Sequence, residues 1–409
     1  LPQREVPQPA RMLEPRDGDH DDSRRCLHAE LRILCHPLRQ AALAGLTMKP
    51  LPSIAGVVAK RLCLYCGNCL AACPSDCIEL TSDRRSDPLL VVGQGCTACG
   101  ACLEVCPGRL NDWRPPPSRA AGPGEPPRVV IAQALPPLSP GRPVASGGAV
   151  SALARAFFDE HPDGLVQWTA LVSGQGLLPQ ARWLDQEAFE KADGDSIYIP
   201  SFANRVFKSI PPQKPLLAIG LPCQVFGLQL LQKRLPGLGK QVRSTISLFC
   251  GLTIRTSGLN FLIKRQGGEP AAVTRMRFRA ENGGRVTMND GRVLRIDKNK
   301  VNFSHMCDRC ASCPDHTGEA ADISCGDAWL ENFTSKSDRS WSLVVSRSEN
   351  GAALLRRAVG KGILWAMRTG SEELLEAQGP MLFFKKKTLW LRLKLNRLLG
   401  GTNPDGRAV

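Results

Sequence analysis

The alternation of apolar and polar residues predicts helices and strands in the second half of the chain. Val150, Leu153 and Phe157 recur at helical spacing after Ser146-Gly147-Gly148, which predicts a helix with one buried face. Apolar runs predict strands at residues 165–168, 196–200, 216–219, 244–249 and 341–345. A helical pattern follows the 216–219 run directly, and this strand–turn–helix order predicts an α/β layer with a ligand at the carboxyl end of the strand.

The remaining pattern completes a mixed α/β (α+β) core. Short apolar segments at 286–288 and 293–296 flank Asn289-Asp290-Gly291, which predicts an antiparallel hairpin. We expect a disordered leader over 1–49, a small iron–sulfur domain over 50–113 and a Pro-rich linker over 114–143 with one strand-like insert at 129–131. The core then spans 144–375, and a basic amphipathic tail spans 376–409.

Two cysteine runs between Cys63 and Pro107 follow the spacing C-x2-C-x2-C-x3-C-P. In this bacterial ferredoxin motif, three close thiolates bind one 4Fe-4S cluster and the fourth cysteine binds the other cluster. The expected ligands are Cys63, Cys66, Cys69 and Cys106 for one cluster, and Cys96, Cys99, Cys102 and Cys73 for the second. Gly67 and Gly100 suit loops that wrap a cluster with positive φ. A zinc ribbon or a disulfide framework is the alternative, but neither accounts for a repeated third cysteine followed by Cys-Pro. Cys77 is surplus to this count and is interpreted as a small buried residue.

Composition agrees with metal ligation. The chain has 409 residues and 17 cysteines, and in a chain of this size thiols kept free for iron loading indicate a reducing compartment. No apolar run is long enough to span a bilayer and no secretory leader is recognisable, so a cytoplasmic protein is expected. We interpret Cys26 and Cys35, in the leader, as incidental thiols.

The formal charge of +15 comes from 53 Lys and Arg against 38 Asp and Glu. Each cluster with its four thiolates carries about two negative charges, so part of the basic excess offsets the cofactors. The rest fits an acidic redox partner, a phosphorylated ligand or a flavin pyrophosphate. Nucleic acid is disfavoured, because aromatic residues make up 5% of the chain and only two are tyrosines.

The tail interleaves apolar and basic residues from residue 382 to 399. The commoner fate of such a helix is to pack its apolar stripe on the protein core and to expose its basic face, which we expect here. Peripheral contact with an acidic membrane is the alternative.

Six segments after the ferredoxin motif resemble, in order, the beta subunit of coenzyme F₄₂₀-reducing hydrogenase and its relatives. They are Ser146-Gly147-Gly148, the loop at Ser196-Ile-Tyr198, Gly220-Leu-Pro-Cys223-Gln224, Leu248-Phe-Cys250, Cys310-x2-Cys313-Pro-Asp, and residues 321–329 with Asp327 and Trp329. Many members of this family carry a two-cluster ferredoxin domain before the core, as this chain does.

The resemblance implies bound FAD and a third 4Fe-4S cluster beside it. It assigns the cluster to Cys223, Cys250, Cys310 and Cys313, although Cys307 or Cys325 is an alternative ligand. The implied flavin contacts are Ser146, Gly147, Gly148, Ser196, Tyr198 and Asp327. No catalytic acid or base is assigned.

The function expected from these parts is electron transfer between a two-electron carrier, coenzyme F₄₂₀ or similar, and FAD, the clusters and ferredoxin or another redox protein. One alternative is a ferredoxin-dependent reductase of an organic substrate, similar to the divinyl chlorophyllide or hydroxymethyl chlorophyll reductases. A second alternative is an electron-transfer subunit without a substrate site. A basic interaction protein that holds zinc is a third. The sequence leaves the oligomeric state open.

Overall fold

An eight-stranded mixed sheet, the core sheet, organises the protein in the computed structural model. The structure describes residues 53–111, 113, 128–135, 146–172, 174–192, 196–280, 283–333 and 341–404. The thirteen strands are β1 Ile78–Ser82, β2 Pro88–Val92, β3 Arg128–Ala134, β4 Leu165–Leu171, β5 Pro179–Leu184, β6 Leu216–Gly220, β7 Val242–Leu248, β8 Val273–Ala280, β9 Gly283–Met288, β10 Val293–Ile296, β11 Ile323–Asp327, β12 Ser342–Ser346 and β13 Leu364–Thr369.

The α-helices cover both faces of this sheet and form part of the iron–sulfur domain. They are α1 Ile54–Ala59, α2 Asn68–Ala72, α3 Ala101–Glu104, α4 Ala149–Glu160, α5 Gln186–Lys191, α6 Pro222–Arg234, α7 Pro236–Gln241, α8 Thr256–Arg265, α9 Glu349–Gly360, α10 Ser371–Leu382 and α11 Leu389–Leu398. None of these described helices has both the length and the apolar character needed to span a membrane.

The strand order of the core sheet is β13-β3-β12-β11-β7-β6-β4-β5. The four strands β11, β7, β6 and β4 are parallel, and the strands on either side of them are antiparallel. This confirms the predicted mixed sheet. Because the carboxyl ends of parallel strands share one edge, the segments after β6, β7 and β11 lie together there.

Apolar residues fill both faces of the core sheet. On one face, Phe157 and Phe158 of α4 pack with Leu217, Ile246 and Val344. On the other face, α6 packs with β6 and with the iron–sulfur domain through a separate cluster of buried residues. The continuous apolar runs of the parallel strands follow from this burial on two faces.

The expected linker over 114–143 contains a strand of the core sheet. The strand-like insert predicted at 129–131 is present as strand β3. This strand pairs with β12 and with β13, so it lies inside the core sheet rather than in a tether. In a Pro-rich segment, an apolar run this short does not show whether the strand belongs to a linker or to the core sheet. Within the expected linker, only residues 128–135 are described. The expected leader, with Cys26 and Cys35, lies outside the described residues.

Residues 196–200 form an irregular segment instead of the predicted strand. The Tyr198 carbonyl accepts a single hydrogen bond from the Ile254 N–H (2.8 Å) rather than a ladder of strand bonds. The predicted hairpin is present as β9 and β10, with Gly291 at φ 84° in its turn, and β8 completes a three-stranded sheet.

The iron–sulfur domain over residues 53–113 consists of the antiparallel pair β1 and β2 and the short helices α1, α2 and α3. Gly67 and Gly100 precede α2 and α3 with φ values of 90° and 76°. Both predicted positive φ values are therefore confirmed.

Candidate functional site

The first set of cysteines, group I, consists of Cys63, Cys66, Cys69 and Cys106. Cys63 and Cys66 lie in the loop that ends at Gly67, Cys69 lies in α2, and Cys106 follows α3. Burial, and then the charge of Cys106, raise the pKa of Cys63 to about 12. Burial raises the pKa of Cys69 well above its usual value, with further contributions from Cys66, Cys63, Cys106 and Cys102. The fourth cysteine of the second run thus lies with the first three of the first run.

Group II consists of Cys73, Cys96, Cys99 and Cys102, and its members line one pocket. Cys99 is exposed, whereas Cys73 and Cys102 are buried. Cys77 also lines this pocket, and its Sγ lies 3.5 Å from the Sγ of Cys73. Burial, and then Cys73 and Cys96, raise the pKa of Cys77 to about 12. The four group II cysteines and Cys77 therefore line the same pocket near the surface.

The core group, Cys223, Cys250, Cys310 and Cys313, forms at the carboxyl edge of the core sheet. Cys223 lies in the first turn of α6 after β6, and Cys250 follows β7 by two residues. Cys310 and Cys313 lie in and just after a 3-10 turn, Asp308–Ser312. Burial raises the pKa of Cys223 well above its usual value, and Cys250, Cys313, Cys66 and Cys310 raise it further in that order. The four cysteines named by the resemblance thus lie together, and Cys66 of group I lies near them.

The two alternative core ligands have different surroundings. Cys325 is buried on β11 among the residues that pack with α4, and burial alone raises its pKa to about 12. Cys307 is completely buried, and its pKa is raised by burial and then by Cys310. Cys307 also raises the pKa of Tyr65 after burial does, so it lies between the core group and the loop of group I. Cys325 is separate from the core group, whereas Cys307 is adjacent to one of its members.

Arg309 joins the core group to group I. It is 1% exposed. Its Nε donates to the Gly108 carbonyl (2.8 Å) and its Nη2 to the Leu110 carbonyl (2.7 Å). Gly108 is two residues after Cys106, and Arg309 itself precedes Cys310. A buried guanidinium therefore lies between two sets of thiols.

Lys385 is a second buried cation beside the core group. It is 1% exposed, and its Nζ donates to the Cys310 carbonyl (3.3 Å). Burial disfavours the ammonium, but Cys313, Cys310 and Cys250 outweigh this and raise the pKa of Lys385. No sequence pattern singled out Lys385 for this role, because it belongs to a run of three lysines. Arg309 had a weak signal, since it lies inside the third cysteine cluster.

Polar side chains hold the group I loop against helix α6. Asn204 Nδ2 donates to Asn68 Oδ1 and to the Gln224 carbonyl, both at 2.7 Å. Asn68 Nδ2 donates to the Val105 carbonyl (2.8 Å). Both asparagines are buried, so breaking these bonds would leave unpaired polar groups inside the protein. Sequence reasoning missed this network.

The candidate flavin contacts divide between two places. Ser146 and Gly147 bond to the β12 end of the sheet: Ser146 Oγ donates to the Trp341 carbonyl (3.0 Å) and Gly147 N–H to Ser342 Oγ (3.0 Å). A Cβ on Gly147 would lie 2.6 Å from the Ser342 nitrogen, so this close approach requires glycine. Gly148, with φ 74°, precedes α4. Asp327 ends β11 and pairs with Ser342, which brings it to the same edge as this turn.

Tyr198 and Ser196 lie in the irregular segment. The Tyr198 ring packs edge-on against Phe278 at 5.1 Å between centroids, with the Lys298 ammonium 4.6 Å from its centroid. Its carbonyl bonds to Ile254, four residues after Cys250. Ser196 is half-buried two residues earlier.

Across the described part of the chain, no set of three or more His, Cys, Asp or Glu residues is arranged to hold a metal ion. Thiolates on one zinc ion lie within about 4 Å of one another, because each Zn–S bond is about 2.3 Å long. Each thiolate of a 4Fe-4S cluster binds a different iron and stands further from the others. The finding therefore concerns sites for single ions.

Two family models match the chain. Residues 213–371 match the C terminus of the coenzyme F₄₂₀ hydrogenase/dehydrogenase beta subunit. Residues 56–107 match the 4Fe-4S dicluster domain. The first match includes the core group and the second includes groups I and II.

A solved structure has a similar fold. It is a chain of the F₄₂₀-reducing NiFe hydrogenase complex from Methanosarcina barkeri, with 18% sequence identity and a TM-score of 0.52. The similarity covers 70% of this chain and 96% of that chain. A search of curated proteins finds no match. The resemblance predicted from the sequence is confirmed by the family models. This chain is therefore similar to a 4Fe-4S dicluster domain over residues 56–107 and to the C terminus of the coenzyme F₄₂₀ hydrogenase/dehydrogenase beta subunit over residues 213–371.

Proposed function

We propose that the chain is an oxidoreductase that uses FAD and three 4Fe-4S clusters to pass electrons between a two-electron carrier and a redox protein. The ligands of the clusters are the four cysteines each of group I, group II and the core group. The observation that carries this proposal is the continuous order of the three groups. Cys66 of group I contributes to the pKa of Cys223, and Cys102 of group II contributes to that of Cys69.

The donor sets fit the clusters. Each group supplies four thiols, which are the usual ligands of this cofactor, and group II lines a pocket. A bound 4Fe-4S cluster accepts and releases one electron. The order of the groups makes group I the relay between the core group and group II. Arg309 and Lys385 provide positive charge where the clusters and their thiolates bring negative charge.

The flavin belongs at the carboxyl edge of the core sheet, near the core group. The turn at Ser146-Gly147-Gly148, the first turn of α4 and Asp327 share this edge. N–H groups in the first turn of a helix favour an anion such as a pyrophosphate. Bound FAD exchanges two electrons with a carrier and single electrons with clusters. This part of the proposal rests on the family resemblance and on the shared edge.

Coenzyme F₄₂₀ is the proposed two-electron carrier, because the family model and the similar structure both concern F₄₂₀ enzymes. The proposed redox partner is ferredoxin or a protein like it. It would approach group II, where Cys99 is exposed. Group I and the core group are less accessible, since most of their cysteines are buried.

The proposal is tested by reconstituting the chain under anaerobic conditions and measuring iron, sulfide and flavin. We expect about twelve irons and one FAD per chain. Titration with reduced F₄₂₀ should then bleach the flavin and cluster absorbance together. If clusters and FAD are present and only reduced ferredoxin bleaches them, F₄₂₀ is the wrong carrier.

A pair of cysteine variants tests the core ligands. Cys223→Ser should lower the iron content by about four atoms per chain, because it removes a ligand of the core cluster. Cys325→Ala is the matched control, since Cys325 is also buried and has no thiol among the causes of its raised pKa. Equal iron content in the two variants would contradict the core-group assignment.

A further inference from the structure

The helix α11 exposes four of its six apolar side chains instead of packing them on the core. Leu391, Leu395 and Leu398 are spaced at i, i+4 and i+7, so they lie on one face. They are 50%, 52% and 74% exposed, and Trp390 beside them is 64% exposed. The sequence predicts that the apolar stripe of the tail packs on the core, and for these four side chains the prediction is wrong.

Polar contacts hold α11 in this orientation. Arg392 Nε donates to the Ala311 carbonyl (2.6 Å), and its guanidinium carbon lies 3.8 Å from the centroid of the Phe384 ring. Asn403 Nδ2 donates to the Leu393 carbonyl (2.7 Å). The inner face of the helix is therefore anchored by an arginine and by a backbone contact, and the leucines are directed outward.

The charged residues of the chain segment around α11 are all basic. Residues 377–404 contain six Lys and Arg residues and no Asp or Glu. Lys385 is buried, Lys386 pairs with Glu319 (2.6 Å) and Arg392 anchors the helix. The other three, Lys387, Lys394 and Arg397, are exposed. The outer surface of α11 thus combines three leucines, a tryptophan and the two cations Lys394 and Arg397, and Lys387 lies just before the helix.

We propose that α11 docks on an anionic lipid surface, with its leucines at the boundary of the acyl chains and its exposed cations at the phosphates. An anionic bilayer places negative charge directly above an apolar layer, which matches a helix face that carries cations and leucines together. Trp390 suits the interface, because an indole ring has an apolar body and a polar N–H. The absence of acidic residues from 377 to 404 removes the repulsion that would oppose binding.

Docking in this way has a consequence for the core group. Arg392 bonds to Ala311, which lies between Cys310 and Cys313. Lys385 bonds to the Cys310 carbonyl just before α11. The tail therefore covers the segment that supplies Cys310 and Cys313. A membrane bound to the outer face of α11 would lie on this side of the core group.

Vesicle flotation of the full chain tests the proposal. The probes are vesicles of phosphatidylcholine alone and vesicles that contain phosphatidylglycerol as well. We expect at least tenfold more protein on the anionic vesicles, and the difference should shrink as salt rises. A variant with Leu391→Ser, Leu395→Ser and Leu398→Ser should lose this binding and keep its unfolding temperature, because the three side chains are exposed.

The control variant combines Leu178→Ser with Val293→Ser, which alters exposed apolar residues outside the tail. It should bind anionic vesicles as the unmodified chain does. A second variant, Lys394→Gln with Arg397→Gln, should lose most of the salt-sensitive binding. The proposal is overturned if anionic vesicles do not bind the chain, or if the triple leucine variant binds them equally well. It is also overturned if light scattering shows that the leucine face forms a dimer and vesicles bind no protein.

Discussion

The two cysteine runs have the same spacing and different surroundings. The first run is held against the rest of the protein, since the Asn204 N–H donates to the Cys66 carbonyl (2.8 Å) and Gly67 packs against the backbone of Phe202. In the second run, Cys99 is exposed and a Cβ on Gly100 would meet nothing within 4 Å. The spacing is the same in both runs, and packing decides that the first is buried against the core while the second lies near the surface. In the proposed function, this difference makes group I an internal relay and group II the place where a partner docks.

Removal of one ligand from each run should give the largest difference. Cys66→Ser and Cys99→Ser should each lower the iron content by about four atoms per chain. Cys66→Ser should also lower the unfolding temperature more than Cys99→Ser does, because Cys66 is buried between the iron–sulfur domain and the core. Iron analysis and thermal unfolding check both statements. Equal unfolding temperatures for the two variants would mean that group I does not stabilise the contact between the iron–sulfur domain and the core.

Arg309→Met should have the next largest effect. It removes a buried cation and leaves the carbonyls of Gly108 and Leu110 without this donor, which we expect to destabilise the protein by about 3–5 kcal/mol. It should also lower the midpoint potentials of the group I and core clusters, since loss of positive charge disfavours the more negative reduced state. The group II potential should change least.

Redox titration monitored by electron paramagnetic resonance measures these potentials. Arg309→Lys is the matched control, because it keeps the charge and loses the two-carbonyl geometry. The midpoint potentials of the clusters should change less in Arg309→Lys than in Arg309→Met. Identical shifts in all three clusters of Arg309→Met would show that the charge has no local effect.

The paired glycines test the packing difference with a smaller effect. Gly67→Ala and Gly100→Ala both impose positive φ on alanine, at a cost of about 1–2 kcal/mol. In Gly67→Ala the new Cβ would also lie 2.4 Å from the Phe202 carbonyl oxygen, so the backbone there must move. We expect Gly67→Ala to lower the free energy of unfolding more than Gly100→Ala. Urea denaturation of both variants measures the difference, and equal values would contradict the close packing of the first run.

Local patterns predicted the parts of this protein whose cause is local. The cysteine spacing, the helix after Gly148 and strands β4, β6 and β7 follow from short periodic segments. Strand β3 was interpreted as part of a linker, because its partners β12 and β13 are more than 200 residues away in the chain. No local pattern reports a pairing at that distance.

The candidate site shows the same division. The core cysteines were named because a family resemblance linked four separate segments. Arg309 and Lys385 were missed, because their burial depends on how distant segments pack against the cysteines. The orientation of α11 was wrong for a related reason: periodicity shows that a helix has two faces, but the contacts of Arg392 decide which face is inward.

Replacement of Cys77, the additional thiol in the group II pocket, should have the smallest effect. The Sγ of Cys77 lies 3.5 Å from the Sγ of Cys73. However, group II already has four cysteines in the ferredoxin spacing. Cys77→Ser should therefore leave the iron content and the cluster potentials of groups I and II nearly unchanged. Cys73→Ser, the matched variant, should lower the iron content by about four atoms per chain. If the two results are reversed, Cys77 is the ligand and Cys73 the surplus thiol, and the ferredoxin spacing no longer specifies which thiols of the second group act together.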